Sequence, residues 1–213
     1  MRRNTLATLA RATPLYGLVR SWRDWRELSR WQNGARHGAA PHAVKRRALL
    51  DHRHRFALDV LVETGTYMGM MVNAMQPHFR RVVSIELDPA LSMRAKARFR
   101  QSPNVEIRQG DSATELPAVL STIDGPTLFW LDAHFSGGVT ARAAIDTPIE
   151  AELRLILGHR SGDRHVILID DARCFDGTHD YPTLDAVRAV VNQMRNGHRV
   201  TVNEDIIRIH ADR

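Results

Sequence analysis

Five short apolar runs, at residues 59–63, 82–86, 105–108, 127–132 and 165–170, alternate with segments of helical period at 68–79, 89–100, 112–120, 147–157 and 181–194. Short apolar runs of this kind fit strands buried on both faces, and strands that run the same way need a crossover helix between them. The alternation predicts an α/β chain: a doubly wound, mostly parallel sheet with helices on both faces. The tail departs from the pattern. Runs at 199–202 and 205–210 are separated only by Asn203-Glu204, a link short enough to permit nothing but an antiparallel hairpin. A parallel sheet finished by such a hairpin, seven strands in all, points away from a plain dinucleotide-binding fold.

The first run ends in Glu63-Thr64-Gly65-Thr66-Tyr67-Met68-Gly69. Spaced glycines directly after a strand allow the dihedrals of a tight strand-to-helix turn and let backbone N–H groups approach a ligand closely. Acids stand at the ends of the other runs: Glu86, Asp111, Asp132 and the pair Asp170-Asp171. In open α/β sheets ligands bind outside the carboxyl ends of the strands, so all of these acids fall on one functional edge. Glu86 follows Gly65 at the distance where a carboxylate can accept both hydroxyls of a ribose. Gly110-Asp111-Ser112 can reach an adenine ring, and Asp111, with Glu115 close behind, also reads as a helix N-cap; the two roles are compatible.

Asp132, Asp170 and Asp171 would repel one another if unpaired. A hard cation such as Mg²⁺, which takes oxygen ligands, would resolve this, and so would pairing with Arg142 or Arg173, or helix capping by Asp171. His134, two residues past Asp132 and followed by Gly137-Gly138, sits where a base or substrate-orienting group would be useful.

These motifs, in this order, resemble the class I S-adenosylmethionine-dependent methyltransferases over residues 58 to 210. Glu63 to Gly69 is similar to their first motif in the form found in catechol-type, metal-dependent O-methyltransferases. Ser84-Ile85-Glu86-Leu87-Asp88 resembles the second motif with its ribose-binding acid, and Gly110-Asp111-Ser112 the adenine-side motif. The terminal hairpin matches the family's antiparallel last strand. Within the family the Asp170-Asp171 pair looks more like the macrolide-sugar and antibiotic-tailoring enzymes. The resemblance implies a Rossmann-like methyltransferase sheet with S-adenosylmethionine held by Glu63, Gly65, Thr66, Tyr67, Gly69, Glu86, Asp111, Ser112 and Asp132. It also implies Mg²⁺ on Asp132, Asp170 and Asp171, and a small-molecule hydroxyl, on a sugar or phenol, as methyl acceptor. The lysine that serves the catechol enzymes as base has no counterpart between Asp132 and Asp146, which leaves Asp132 or His134 for that role.

Charge is unevenly spread. Residues 1–55 hold 13 Lys/Arg against 3 Asp/Glu, or +10, and the remainder 17 against 21, or −4, for a net +6. The chain divides accordingly into a basic helical arm over 1–57, with helices expected at 15–31 and 42–56, and a cofactor-binding domain over 58–213. The arm, with Trp22, Trp25 and Trp31, could meet anionic lipid, nucleic acid or an acidic partner, or pack its tryptophans on the body and leave its arginines in water. Nucleic acid is not the expected partner; peripheral membrane contact and a homo-oligomer stay open. The single Cys174 excludes an internal disulfide and suits a cytoplasmic setting. Three rivals share parts of the pattern: a nicotinamide oxidoreductase, whose glycine fingerprint is not met, a metal-dependent hydrolase, and a non-catalytic cofactor-fold module that docks through the arm.

Overall fold

The computed structural model describes residues 25–31, 33–34, 38–132, 148–179 and 181–212. In chain order the elements are α1 (His42–Phe56), β1 (Val60–Thr64), α2 (Met70–Met75), β2 (Arg81–Glu86), α3 (Pro89–Phe99), β3 (Val105–Gln109) and α4 (Ser112–Ser121). They continue as β4 (Leu128–Leu131), α5 (Ile149–Gly158), β5 (Val166–Ile169), a 3₁₀ turn at Ala172–Cys174, α6 (Leu184–Met194), β6 (His198–Asn203) and β7 (Ile206–Ala211). The strands form one seven-stranded sheet in the order β3-β2-β1-β4-β5-β7-β6. All neighbours among β1 to β5 pair in parallel, and β7 runs antiparallel to both β5 and β6.

Side chains alternate across the strands and so define two cores. On one face Val62, Phe129 and Ile167 pack with Leu116 of α4, Leu153 of α5 and Val191 of α6. On the other Leu61, Trp130 and Leu168 pack with Leu49 of α1, Met75 of α2 and Phe99 of α3. The sheet is thus wound on both sides, as the alternation predicts. Because β1, β4 and β5 are buried along their whole length, their sequences are near-continuous apolar runs.

Helix α1 belongs to the second core through Ala48 and Leu49. Ahead of it, residues 25–31 are helical; Trp31 is buried against Ala40 and Val44, while Trp25 is exposed. The earlier part of the basic arm lies outside the described residues. Among the described residues no helix is long and apolar enough to cross a membrane.

Two helices are markedly shorter than their periodicity suggests. α2 starts only at Met70 because Tyr67 and Gly69 are left-handed, and it ends before Pro77, which lacks the N–H that would continue it. α6 starts at Leu184, where the Thr183 hydroxyl accepts from the Ala186 N–H at 3.1 Å, and not at Tyr181. The hairpin turn consists of Glu204 and Asp205, both left-handed with φ of 55° and 60°, one residue later than the Asn203-Glu204 expected.

Candidate active site at the carboxyl edge of the sheet

The glycine loop leaves β1 by folding back onto β2. The N–H groups of Gly65 and Thr66 both donate to the Ile85 carbonyl, at 2.9 and 3.3 Å, and Gly69 N–H closes a turn onto Thr66 O at 2.8 Å. Gly65, Tyr67 and Gly69 have φ of 88°, 47° and 66°. At Gly69 the need for glycine is double, since a Cβ there would also lie 2.9 Å from the Phe99 ring.

Beneath the loop, Glu63 is buried. The Ser84 hydroxyl donates to its Oε2, and Ser84 in turn shares a 2.6 Å hydrogen bond with the Thr66 hydroxyl. Burial pushes the Glu63 carboxyl up to about 8, against the pull of the Ser84 hydrogen bond and with the charges of Asp132 and Glu86 adding to the rise. Glu86, at the end of β2, accepts from the Tyr67 N–H at 2.6 Å and the Asp88 N–H at 2.9 Å, one on each oxygen. Each oxygen keeps a second lone pair, so bracing the loop leaves Glu86 able to take hydroxyl donors as well.

Asp111 caps α4 by accepting from Thr114 N–H at 3.2 Å, the capping role expected for it. Ser112 behind it is buried beside Glu152 of α5, which is fully buried. Burial pushes Glu152 up to about 7, opposed by the Ser112 and Thr64 hydroxyls.

At the centre of the edge, the pleat aligns the ends of β1, β4 and β5. Asp132 N–H donates to Thr64 O and Asp170 N–H to Leu131 O, both at 3.0 Å. This brings one carboxylate oxygen each from Asp132, Asp170 and Asp171 within 4.8 Å of one another. Asp171 is left-handed, with φ of 55°.

Two basic side chains already engage these acids. Lys45, reaching across from α1, contacts Asp170 Oδ2 and lies 3.8 Å from Asp171 Oδ1. Arg173 Nη1 pairs with Asp171 at 2.7 Å and also with Asp205 of the hairpin turn. Burial alone would lower the Lys45 pKa, but Asp170, with Asp132 and Asp171, outweighs it and holds the amine above its ordinary range, hence charged. Asp205 further accepts from Arg173 N–H at 2.9 Å and Ala40 N–H at 3.3 Å, tying the strained turn to the start of α1.

Of the residues expected at the site, Glu63, Gly65, Thr66, Tyr67, Gly69, Glu86, Asp111, Ser112, Asp132, Asp170 and Asp171 all lie at or next to this edge. His134 lies outside the described residues, as does Arg142. Arg173 pairs with Asp171, one of the alternatives to a metal. Lys45 lies in the stretch Pro41 to Arg47, which the sequence suggests as a lid and substrate-selecting element together with the loop from His134 to Asp146, but no role for Lys45 itself is expected there. A further signal is that a chain with 30 Lys/Arg uses arginine at every basic position except Lys45 and Lys96.

The three carboxylates stand close enough together to share a divalent ion, but two of them are already compensated: Asp170 Oδ2 is in contact with the Lys45 ammonium and Asp171 Oδ1 with the Arg173 guanidinium.

No protein-family description matches this chain, and no curated protein is similar enough in sequence to count as a relative. Solved structures do match. The O-methyltransferase TomG of Streptomyces achromogenes, involved in tomaymycin synthesis and solved with S-adenosylmethionine, aligns with a TM-score of 0.58 at 17% identity over 82% of each chain. An O-methyltransferase of Bacillus cereus, solved with S-adenosylhomocysteine, gives 0.56 at 16% identity over 88% of this chain and 89% of that one. The S-adenosylhomocysteine-bound methyltransferase PaMTH1 of Podospora anserina gives 0.54 at 15% identity over 100% and 97%. At these identities the likeness is one of fold: the sheet is similar to the Rossmann-like methyltransferase sheet of these structures.

Proposed function

We propose that this chain transfers the methyl group of S-adenosylmethionine to an acceptor hydroxyl bound at the carboxyl edge of its sheet. The observation that carries the reading is the placement of Glu86, which stands beside the glycine loop with both oxygens directed at the loop and strand-end backbone. In this reading Glu86 takes the ribose hydroxyls and Asp111 and Ser112 border the adenine. Glu63, Gly65, Thr66, Tyr67 and Gly69 receive the amino-acid and sulfonium end, with Asp132 alongside. A cationic sulfonium suits a region where Asp132 and Glu86 stand close enough to Glu63 to raise its pKa.

The transfer is an in-line displacement. The acceptor oxygen forms the new O–C bond as the C–S bond breaks, the electron pair stays on sulfur to give S-adenosylhomocysteine, and the hydroxyl proton passes to Asp132. The protein's contribution is mainly alignment, for which well-oriented pairs gain about 7–11 kcal/mol. Support for oxygen as the acceptor atom comes from the solved neighbours, two of which are O-methyltransferases, and from the carboxylates, which can accept the proton a hydroxyl must lose. We take the acceptor to be a small molecule such as a sugar or phenol. Mg²⁺, if bound, would be held by Asp132, Asp170 and Asp171 and would have to compete with Lys45 for Asp170.

The test is incubation with methyl-labelled S-adenosylmethionine and a panel of sugars, catechols and simple phenols. Label recovered on oxygen is the expected result. Label recovered on nitrogen or carbon, or none on any hydroxyl compound by a protein that binds the cofactor, would overturn the assignment to O-methylation.

A further inference from the structure

We infer that Lys45 is the built-in cation of this site: its ammonium stands between α1 and the ends of β4 and β5, where it takes the place of a divalent ion and keeps one out. The inference rests on the methyltransferase reading for the role of the cluster, but its geometry stands independently. Asp170 is buried with its side chain 1% exposed, and its Oδ2 is in direct contact with Lys45 Nζ. The same Nζ is 3.8 Å from Asp171 Oδ1, and the Lys45 side chain is itself only 17% exposed. A buried carboxylate cluster needs compensation, and the chain supplies it from an element outside the strand ends.

The support for Lys45 is equally specific. Lys45 lies in the first turn of α1, whose position is set by Val44, Ala48 and Leu49 in the cores behind it. Farther along α1, Arg47 pairs with Glu204, and Arg173 links Asp171 to Asp205. Acids and bases therefore alternate from α1 through the strand ends to the hairpin turn. Mg²⁺ demands near-ideal octahedral oxygen coordination at about 2.0–2.1 Å. At Asp170 it would either displace the ammonium from Oδ2 or sit beside it, one positive charge against another.

A lysine ammonium is a compact charge with three donors. With its contacts to Asp170 and Asp171 made, it can still donate to an oxygen arriving from the open side. In the transfer step it would stabilise the negative charge that develops on the acceptor oxygen as the proton leaves for Asp132 and the O–C bond forms. Methyl transfer by this chain would then be indifferent to chelators.

The experiment is a Mn²⁺ titration of the full-length protein followed by electron paramagnetic resonance, with S-adenosylhomocysteine binding measured on the same samples. The wild type is expected to show no saturable Mn²⁺ site. Lys45→Met, which keeps length and removes charge, is expected to gain one site per chain that the added Asp170→Asn change abolishes. A saturable site in the wild type that Asp170→Asn removes would overturn the inference. So would a Lys45→Met protein that is folded by circular dichroism and still binds no Mn²⁺. Should Lys45→Met fail to fold, the wild type and Lys45→Arg decide together: an Asp170-dependent site in the wild type overturns the inference, and its absence from both folded proteins upholds it. Failure of S-adenosylhomocysteine to bind would strike the methyltransferase reading and leave the Mn²⁺ result untouched.

Discussion

Glu63 is kept from water in the company of Asp132 and Glu86, and its carboxyl is raised from 4.5 to about 8. Since the folded state favours the protonated form, this residue contributes most below pH 4.5 and its contribution is lost as pH rises toward 8, by up to about 1.4 kcal/mol per pH unit. Chemical denaturation of Glu63→Gln across that window should give a flatter profile than the wild type; parallel profiles would contradict the assignment. A bound sulfonium should reverse the preference and drive the proton off. Calorimetry of S-adenosylmethionine near pH 7 in buffers of different ionisation heat should therefore report proton release, and a buffer-independent heat would be the contrary result. At Gly69 an alanine must adopt a left-handed φ and press on Phe99, so Gly69→Ala should cost about 1–2 kcal/mol in denaturant unfolding. An unchanged midpoint would contradict it. The glycines and terminal acids are legible in the sequence because each directly succeeds an apolar run that itself reads as a strand. Lys45 is not, because it reaches the cluster from an element 125 residues away from Asp170 along the chain, and only tertiary packing decides which turn of α1 faces the strands.

Elements are legible in proportion to how fully they are buried. β4 and β5 fall within one residue of their expected ends because both their faces are covered, so apolar sequence and strand coincide. Helix starts are less so, because they depend on caps and on left-handed residues, as at Thr183 and Tyr67. The foot of β5 illustrates a further layer that pattern alone does not reveal. His165 Nδ1 accepts from the Thr127 N–H at 3.2 Å, which fixes its proton on Nε2 and directs it to His159 Nδ1, 2.8 Å away. Burial, then the neighbouring His159, lower the His165 pKa from 6.5 to about 3. The folded state thus favours neutral imidazole, and this stabilisation is present above pH 6.5 and lost as pH falls toward 3. The stability difference between wild type and His165→Gln should narrow through that range, whereas a pH-independent difference would show that the imidazole does not titrate with unfolding.

For the whole molecule, the alternation of strands and helices is enough to predict a doubly wound sheet, and the two-residue link between the last two strands to predict its antiparallel finish. The order β3-β2-β1-β4-β5-β7-β6 gathers the strand-end acids along one edge, and α1 and the hairpin turn close that edge through Lys45, Arg173 and Asp205. The acceptor is not legible, since acceptor pockets are shaped by loops whose composition carries little information. The central claim is that this edge is an S-adenosylmethionine site organised around Glu86. Calorimetric titration of S-adenosylhomocysteine into the wild type and into Glu86→Ala, both checked for fold by circular dichroism, tests it most directly. Saturable binding by the wild type, weakened about 10- to 100-fold in Glu86→Ala, is the predicted result; no binding by the wild type, or equal affinity in the two proteins, would contradict it.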